Sequence, residues 1–243
     1  MRVLAVDAGN SRIKWGIWED EWSHQGAVLT TQVDELAATW SALPQPFVIH
    51  ASNVAGPAVR EPLDRWAREH GTQIHWLASR REQCGVRSAY REPTQLGTDR
   101  WASVIAAWHL VRGAAVVVNA GTAVTVEALD STGVFRGGVI MPGLQMMATA
   151  LTGNTALLRD AQGAFAAFPD NTADAIATGV MTAVCGAIAR MRDTMIAHGE
   201  TPQVVLGGGA ANAIAGYLPF AAMTMPYLVL EGLRIVAMSG QSA

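Results

Sequence analysis

Val3-Leu4-Ala5-Val6-Asp7-Ala8-Gly9-Asn10-Ser11-Arg12-Ile13-Lys14-Trp15-Gly16-Ile17 is the stretch on which the fold turns. An apolar run ends in Asp7, Gly9 and Asn10 suit a tight turn, and alternation resumes at Ile13, so the spacing predicts strand, turn and strand. Val116-Val117-Val118-Asn119-Ala120-Gly121-Thr122-Ala123-Val124-Thr125-Val126-Glu127 repeats the design. Two copies about a hundred residues apart predict an internal duplication.

The chemistry of each copy points to phosphate. Gly9 and Gly121 lack the Cβ that would keep a ligand off the backbone, and successive N–H groups in such a turn can form an anion-binding concavity. Asn10 and Ser11 add side-chain donors, and Lys14 adds a positive charge. Asp7 would be repelled by phosphate unless a divalent cation sat between them, which is how Mg²⁺ is commonly held. The expectation is two hairpins gripping a nucleotide polyphosphate from either side of a gap. The blander alternative is that both are ordinary hairpin turns.

With 243 residues, half of them apolar, 15% charged and a net charge of −3, the chain can build a substantial core. It carries no basic footprint for nucleic acid. Cys84 and Cys185 form no C-x-x-C pair, and the six histidines have no ligand spacing, so neither a disulfide framework nor a zinc site is expected. No charged leader precedes the first strand and no apolar run is expected to span a membrane, so the expected location is the cytoplasm.

After the first hairpin the pattern predicts a strand over 22–31, a helix over 33–40 halted near Pro44, a strand over 47–51, a helix over 58–70 and a strand over 73–77. That alternation argues for α/β architecture. Residues 80–96 read as a loop, with Arg80 and Arg81 solvated and Tyr90 either contacting substrate or pinning the loop to the core. Gly97-Thr98-Asp99-Arg100 opens a helix whose Trp101, Val104, Ile105 and Trp108 share one face. Asp99 is therefore either a helix cap or a general base for a substrate hydroxyl, with Arg100 beside it for an anionic group.

Arg112-Gly113 ends that helix, which places a boundary between domains 1–112 and 113–243. A strand over 133–141 follows, then a helix begun by Pro142 whose Met146 and Met147 fill a core or a subunit interface. Thr172 either caps the long helix 173–197 or faces substrate polar atoms. Gly207-Gly208-Gly209 turns a strand into a helix and would let an adenine or ribose lie against backbone. Neither the Rossmann nor the Walker A spacing is present. An apolar helix over 227–237 closes the chain, with fraying from Gln241.

Taken together, the chain resembles the type III pantothenate kinases of the acetate and sugar kinase, Hsp70 and actin superfamily. The resemblance rests on D-x-G-N-S-x-x-K at Asp7 to Lys14, G-x-D-R at Gly97 to Arg100, A-G-T-A at Ala120 to Ala123, Gly207 to Ala210, and Leu230-Glu231-Gly232-Leu233. It implies two duplicated ribonuclease-H-like, actin-like ATPase domains with a cleft between them, forming a homodimer. The implied reaction is ATP-dependent phosphorylation of pantothenate, the first step of coenzyme A synthesis.

The resemblance also implies roles for particular residues. Asp7, Ala8, Gly9, Asn10, Ser11, Arg12, Ile13 and Lys14 would hold ATP phosphates, and Asp7 would hold Mg²⁺ directly or through water. Gly121 and Thr122 would contact phosphate, Gly207 to Gly209 the nucleoside, and Tyr90, Gly97, Thr98, Asp99, Arg100 and Thr172 pantothenate, with Asp99 as base. Two positions depart from the family pattern, Asn119 and Glu127, where Asp is usual. The first is the place of a monovalent cation, K⁺ or NH₄⁺, and its neutral carboxamide predicts weak activation by K⁺. The rival readings are a non-catalytic regulator on the same fold and a kinase for another small hydroxylated substrate.

Overall fold

The computed structural model describes residues 1–43, 48–152 and 163–240. Pro44 as a helix stop, Phe47 as the start of a strand and the fraying from Gln241 lie outside the described residues. The chain forms two compact units, Met1–Leu110 with Tyr227–Ala243, and Val111–Pro226.

In the first unit, β1 (Val3–Ala8), β2 (Arg12–Trp18), β3 (Trp22–Leu29), β4 (Val48–Asn53) and β5 (Ile74–Trp76) lie in the order β3-β2-β1-β4-β5. The first three are antiparallel, and β1, β4 and β5 run parallel. β1 is buried on both faces, which is why it reads as an unbroken apolar run. One face, through Leu4, Val6, Ile13 and Trp15, forms a core with Leu36 and Trp40 of α1 (Glu35–Ser41) and Leu63 and Trp66 of α2 (Pro57–Glu69).

Residues 80–96 are more ordered than the sequence predicts. A short hairpin of β6 (Glu82–Gln83) and β7 (Val86–Ser88) turns at Cys84 and Gly85, with φ of 50° and 80°, and a 3-10 turn covers Pro93–Gln95. α3 (Thr98–Val111) follows; Trp101, Val104 and Ile105 are fully buried, but the rest of Arg100–Ala107 is buried too, on every side, and Trp108 is half-buried, so the helix is enclosed in the core instead of burying one face.

The second unit repeats the plan. β8 (Ala115–Ala120), β9 (Ala123–Leu129), β10 (Val134–Pro142), β11 (Gln203–Gly207) and β12 (Met223–Thr224) run β10-β9-β8-β11-β12. Again three are antiparallel and three parallel. Strand order and direction thus match position for position, and the duplication read from the two hairpins extends to both sheets. Val116, Val118, Val124 and Val126 pack with Val184 and Ile188 of a long helix, leaving Asn119, Thr125 and Glu127 on the opposite face.

α4 (Leu144–Thr152) begins two residues beyond Pro142, which ends β10 instead of opening the helix. The long helix is α5 (Thr172–Ala197), and its cap is Asn171, not Thr172: the Asn171 side chain accepts from the Asp174 N–H at 3.0 Å. Among the described residues α5 is long and apolar enough, by length and composition only, to cross a membrane, against the expectation that no run would be. Ala, Val, Met and Ile give its best 18-residue window a mean hydropathy of 1.5, although interspersed Gly and Thr disguise the run, and only 11% of that window is buried. α6 (Ala211–Ala215) is a single short turn of helix.

α7 (Leu228–Met238) corrects the expected grouping of residues 113–243. It belongs with the first unit, where its apolar face covers β1 and β4. The Leu230-Glu231-Gly232-Leu233 motif explains how. A Cβ at Gly232 would run into the Ala102 carbonyl oxygen of α3, so only glycine lets the two backbones come this close. Glu231 accepts from Trp22 Nε1 at 3.3 Å and from Arg234 Nε at 2.9 Å, fixing the helix to the start of β3.

Candidate active site

Asp7 stands next to the end of β1, with Lys14 of β2 and Ser52 of β4 as its Cα partners. It is 9% exposed, and its Oδ1 is buried without a hydrogen-bond partner. Burial above all, then the charge of Asp99, push its carboxyl up to about 7, while Lys14 pulls the other way. An orphaned carboxylate oxygen is costly without a partner, and a divalent cation would supply one, so the donor set fits Mg²⁺. Asn10, Ser11 and Arg12 are exposed on the turn. Ala8 and Ile13 point into the core, so their part in any phosphate contact is limited to backbone.

The start of α3 is tied to the same sheet. Thr98 Oγ1 and Ser52 Oγ share a hydrogen bond of 2.9 Å, with Ser52 fully buried. Asp99 Oδ1 accepts from the Arg100 N–H at 2.8 Å, so the carboxylate does satisfy a helix-start donor. It is also near enough to Asp7 for the two charges to interact. Burial raises its pKa, opposed by the Arg100 N–H and guanidinium. A Cβ at Gly97 would lie 2.7 Å from Asp99 Oδ1, so a side chain there would push on that carboxylate. Capping and chemistry are therefore compatible at this residue.

Arg100 is 6% exposed and donates through Nη1 to the Tyr90 hydroxyl at 3.2 Å. Its guanidinium carbon lies 5.8 Å from the Tyr90 ring centre. Arg81 is exposed, as expected from sequence, but it does more than meet solvent. Its guanidinium donates to three carbonyl oxygens, of Ser88 at 3.0 Å, Tyr90 at 2.6 Å and Arg91 at 3.0 Å, and so shapes the strand of loop that presents Tyr90. Ser79 Oγ, donating to the Leu96 carbonyl at 2.8 Å, closes the other end. The first unit thus gathers Asp7, Lys14, Tyr90 and Gly97 to Arg100.

In the second unit Asn119 has Thr125 and Gly207 as Cα partners. Gly121 N–H donates to the Ala123 carbonyl at 3.0 Å, and the Thr122 carbonyl accepts from Gly143 N–H at 2.8 Å. The glycine turn meets this hairpin at Ala120, whose carbonyl accepts from Ala210 N–H at 3.2 Å. Gly208, at φ 90° and with no room for a Cβ beside the Ala120 carbonyl, is required by backbone packing. Gly209 is exposed, with nothing within 4 Å of a Cβ, so packing does not account for it. Thr172 is exposed at the first turn of α5, whereas Thr178 Oγ1 is engaged with the Ala166 N–H at 3.0 Å. Glu127 is 1% exposed, and its carboxylate occupies the space beside Gly138.

Comparison with known proteins agrees with this arrangement. Residues 3–194 match the profile of the type III pantothenate kinase family. A type III pantothenate kinase of Aromatoleum aromaticum is 42% identical over 242 residues, covering 99% of this chain and 100% of that protein. One from Nitrosospira multiformis is 40% identical over 237 residues, covering 97% and 90%. Among solved structures, a conserved candidate Baf family transcriptional activator from Campylobacter jejuni superposes with a TM-score of 0.63 at 22% identity, covering 98% of each chain. At that identity the likeness concerns fold alone, as do matches to a hydroxyglutaryl-CoA dehydratase component and to sugar-kinase-like chains. The fold is that of the actin-like ATPases and sugar kinases, two ribonuclease-H-like halves, and the chain belongs to the type III pantothenate kinase family.

Proposed function

We propose that this pantothenate kinase, which acts with ATP in coenzyme A biosynthesis, uses Asp99 as general base and Asp7 as its metal-side carboxylate. The observation that carries this reading is the buried, unpartnered Oδ1 of Asp7 in the electrostatic range of Asp99. Mg²⁺ bound there would neutralise phosphate charge. Lys14 and the Asn10–Ser11 turn hold phosphate oxygens in the first unit; in the second unit Thr122 and Gly121 are the candidate phosphate contacts and Gly207 to Gly209 the candidate nucleoside contacts. Phosphoryl transfer asks for this positioning and charge stabilisation more than for covalent chemistry.

Asp99 takes the proton of the pantothenate primary hydroxyl, and its raised pKa makes it a stronger base than an exposed aspartate. Arg100, oriented by Tyr90, pairs with the substrate carboxylate, and Gly97 and Thr98 complete the acceptor contacts of the first unit, Thr172 being the candidate acceptor contact of the second.

The test is ADP release from the native protein and from Asp99→Asn, with pantothenate, simple sugars or no acceptor. Asparagine keeps the helix-start hydrogen bond but cannot take a proton, so the expected result is a folded variant with turnover reduced by roughly 10²–10⁴-fold. Full activity in the variant would remove Asp99 from the chemistry. Equal rates with sugars would make the acceptor another alcohol, and ATP binding without turnover would favour a regulator.

A homodimer fits the exposed face of α5, where Gly179 and Gly186 have open space and Ala175, Thr182 and Ala183 are exposed. A sedimenting mass of twice 25.7 kDa is the check. At the monovalent-cation position Asn119 offers a neutral oxygen, so K⁺ activates weakly.

A further inference from the structure

We infer that Thr30 is a positioning residue for nucleotide phosphate, which it serves by aiming the peptide group between Gly9 and Asn10. The inference rests on reading the first hairpin as a phosphate site.

Thr30 follows the last residue of β3 and begins a 3-10 turn. Its hydroxyl donates to the Gly9 carbonyl oxygen at 2.8 Å, and its N–H donates to the Ser11 carbonyl oxygen at 3.1 Å. Gly9 N–H in turn donates to the Arg12 carbonyl at 3.1 Å. Three carbonyl oxygens of the turn are therefore held by donors within the first unit.

A trans peptide is planar, with its C=O and the following N–H pointing in opposite directions. Drawing the Gly9 oxygen towards Thr30 thus turns the Asn10 N–H away from Thr30, on a turn whose residues Asn10 to Arg12 are exposed. An anion is attracted by an N–H and repelled by a C=O, so the sense of this one peptide decides whether the turn attracts phosphate. Glycine resists a peptide rotation less than any other residue. The Thr30 hydroxyl is what holds Gly9 in place.

The second unit provides an internal control. Gly143 follows the end of β10 as Thr30 follows β3, and its N–H donates to the Thr122 carbonyl at 2.8 Å as Thr30 N–H donates to Ser11. The backbone brace is thus present in both copies. The side-chain brace is made only by Thr30, since position 143 is glycine.

The experiment is steady-state kinetics and calorimetric binding of a non-hydrolysable ATP analogue on Thr30→Val, Thr30→Ser and Lys14→Met. Valine keeps the shape of threonine without the donor, and serine restores the donor. Thr30→Val should raise the KM for ATP and the analogue Kd by about tenfold, as expected for loss of one oriented contact to charge, with KM for pantothenate and kcat at saturating ATP within about twofold. Thr30→Ser should return both to near native values. A Thr30→Val enzyme with native ATP affinity, an equal rise in both KM values, or no rescue by serine overturns the inference. If Lys14→Met also leaves nucleotide binding unchanged, the reading of the first hairpin fails; if Lys14→Met weakens binding and Thr30→Val does not, only the role of Thr30 fails.

Discussion

The two hairpins share a plan and differ in charge. Where β1 and β2 pair Asp7 with Lys14, β8 and β9 pair Asn119 with Thr125, so two opposite charges in one copy correspond to two neutral polar groups in the other. The turns differ as well. Residues 9–12 lie between the last pair, Ala8 and Ile13, against 121–123 between Ala120 and Val124. The backbone brace from the end of the third strand is retained in both, because a turn whose carbonyls are unanchored would be worthless for any anion. The hydrogen bonds that shape the backbone are thus common to both copies while the side chains differ, and the first copy carries the charges that the proposed metal and phosphate contacts use.

Making the first hairpin resemble the second should have the largest effect. Asp7→Asn should lower turnover by roughly 10³-fold if a metal is held there, and activity within tenfold of native would break the assignment. The same substitution should stabilise the ligand-free protein at neutral pH. Asp7 titrates at about 7 in the fold against 3.8 for the ordinary side chain, so its neutral form is favoured on folding. The contribution of Asp7 to native stability should therefore be fully present below the ordinary value and lost as pH rises through about 7, and urea unfolding of the variant should lack that component.

Gly143→Ala comes next. The new Cβ would meet the Gly121 carbonyl oxygen, and displacing the second turn should cost about 1–3 kcal/mol of unfolding free energy, with a weaker ATP affinity alongside. Unchanged urea midpoints would mean that this brace has slack. The smallest effect is expected from making the second hairpin resemble the first. Asn119→Asp should produce a saturable K⁺ activation a few-fold above the weak activation expected of the native chain, on the argument that a full charge binds a cation better than a carboxamide. A native enzyme already strongly activated by K⁺ would show that neutral oxygens suffice.

The hairpins were legible because their signal is local: an apolar run, a small-residue corner and renewed alternation all fall within about fifteen residues. The helix opened by Thr98 was legible as a helix for the same reason, but the one buried face read from its Trp and Ile spacing is not what forms, since Arg100–Ala107 are buried all round. The side chains that hold the site in shape were not. Thr30 reaches Gly9, Ser52 reaches Thr98 across 46 residues, and Arg81 grips carbonyls, and a bond to a backbone oxygen leaves no residue-type signature at its other end. Thr172 is a cap candidate from sequence because Asn171 and Thr172 are both residue types that cap well, and only the geometry assigns the cap to Asn171. α7 was correctly read as apolar, but periodicity reveals that a helix has a buried face without naming the sheet that buries it.

The return of α7 to the first sheet has a consequence for biogenesis. β1 to β5 leave the ribosome early, yet the layer that covers β1 and β4 is encoded after Pro226, beyond the whole of the second unit. The second unit is continuous in sequence and can complete itself during translation, while the first waits with an apolar sheet surface bare. A nascent chain stalled before Tyr227 would carry that surface into the cell, making it a client for chaperones and a target for proteases.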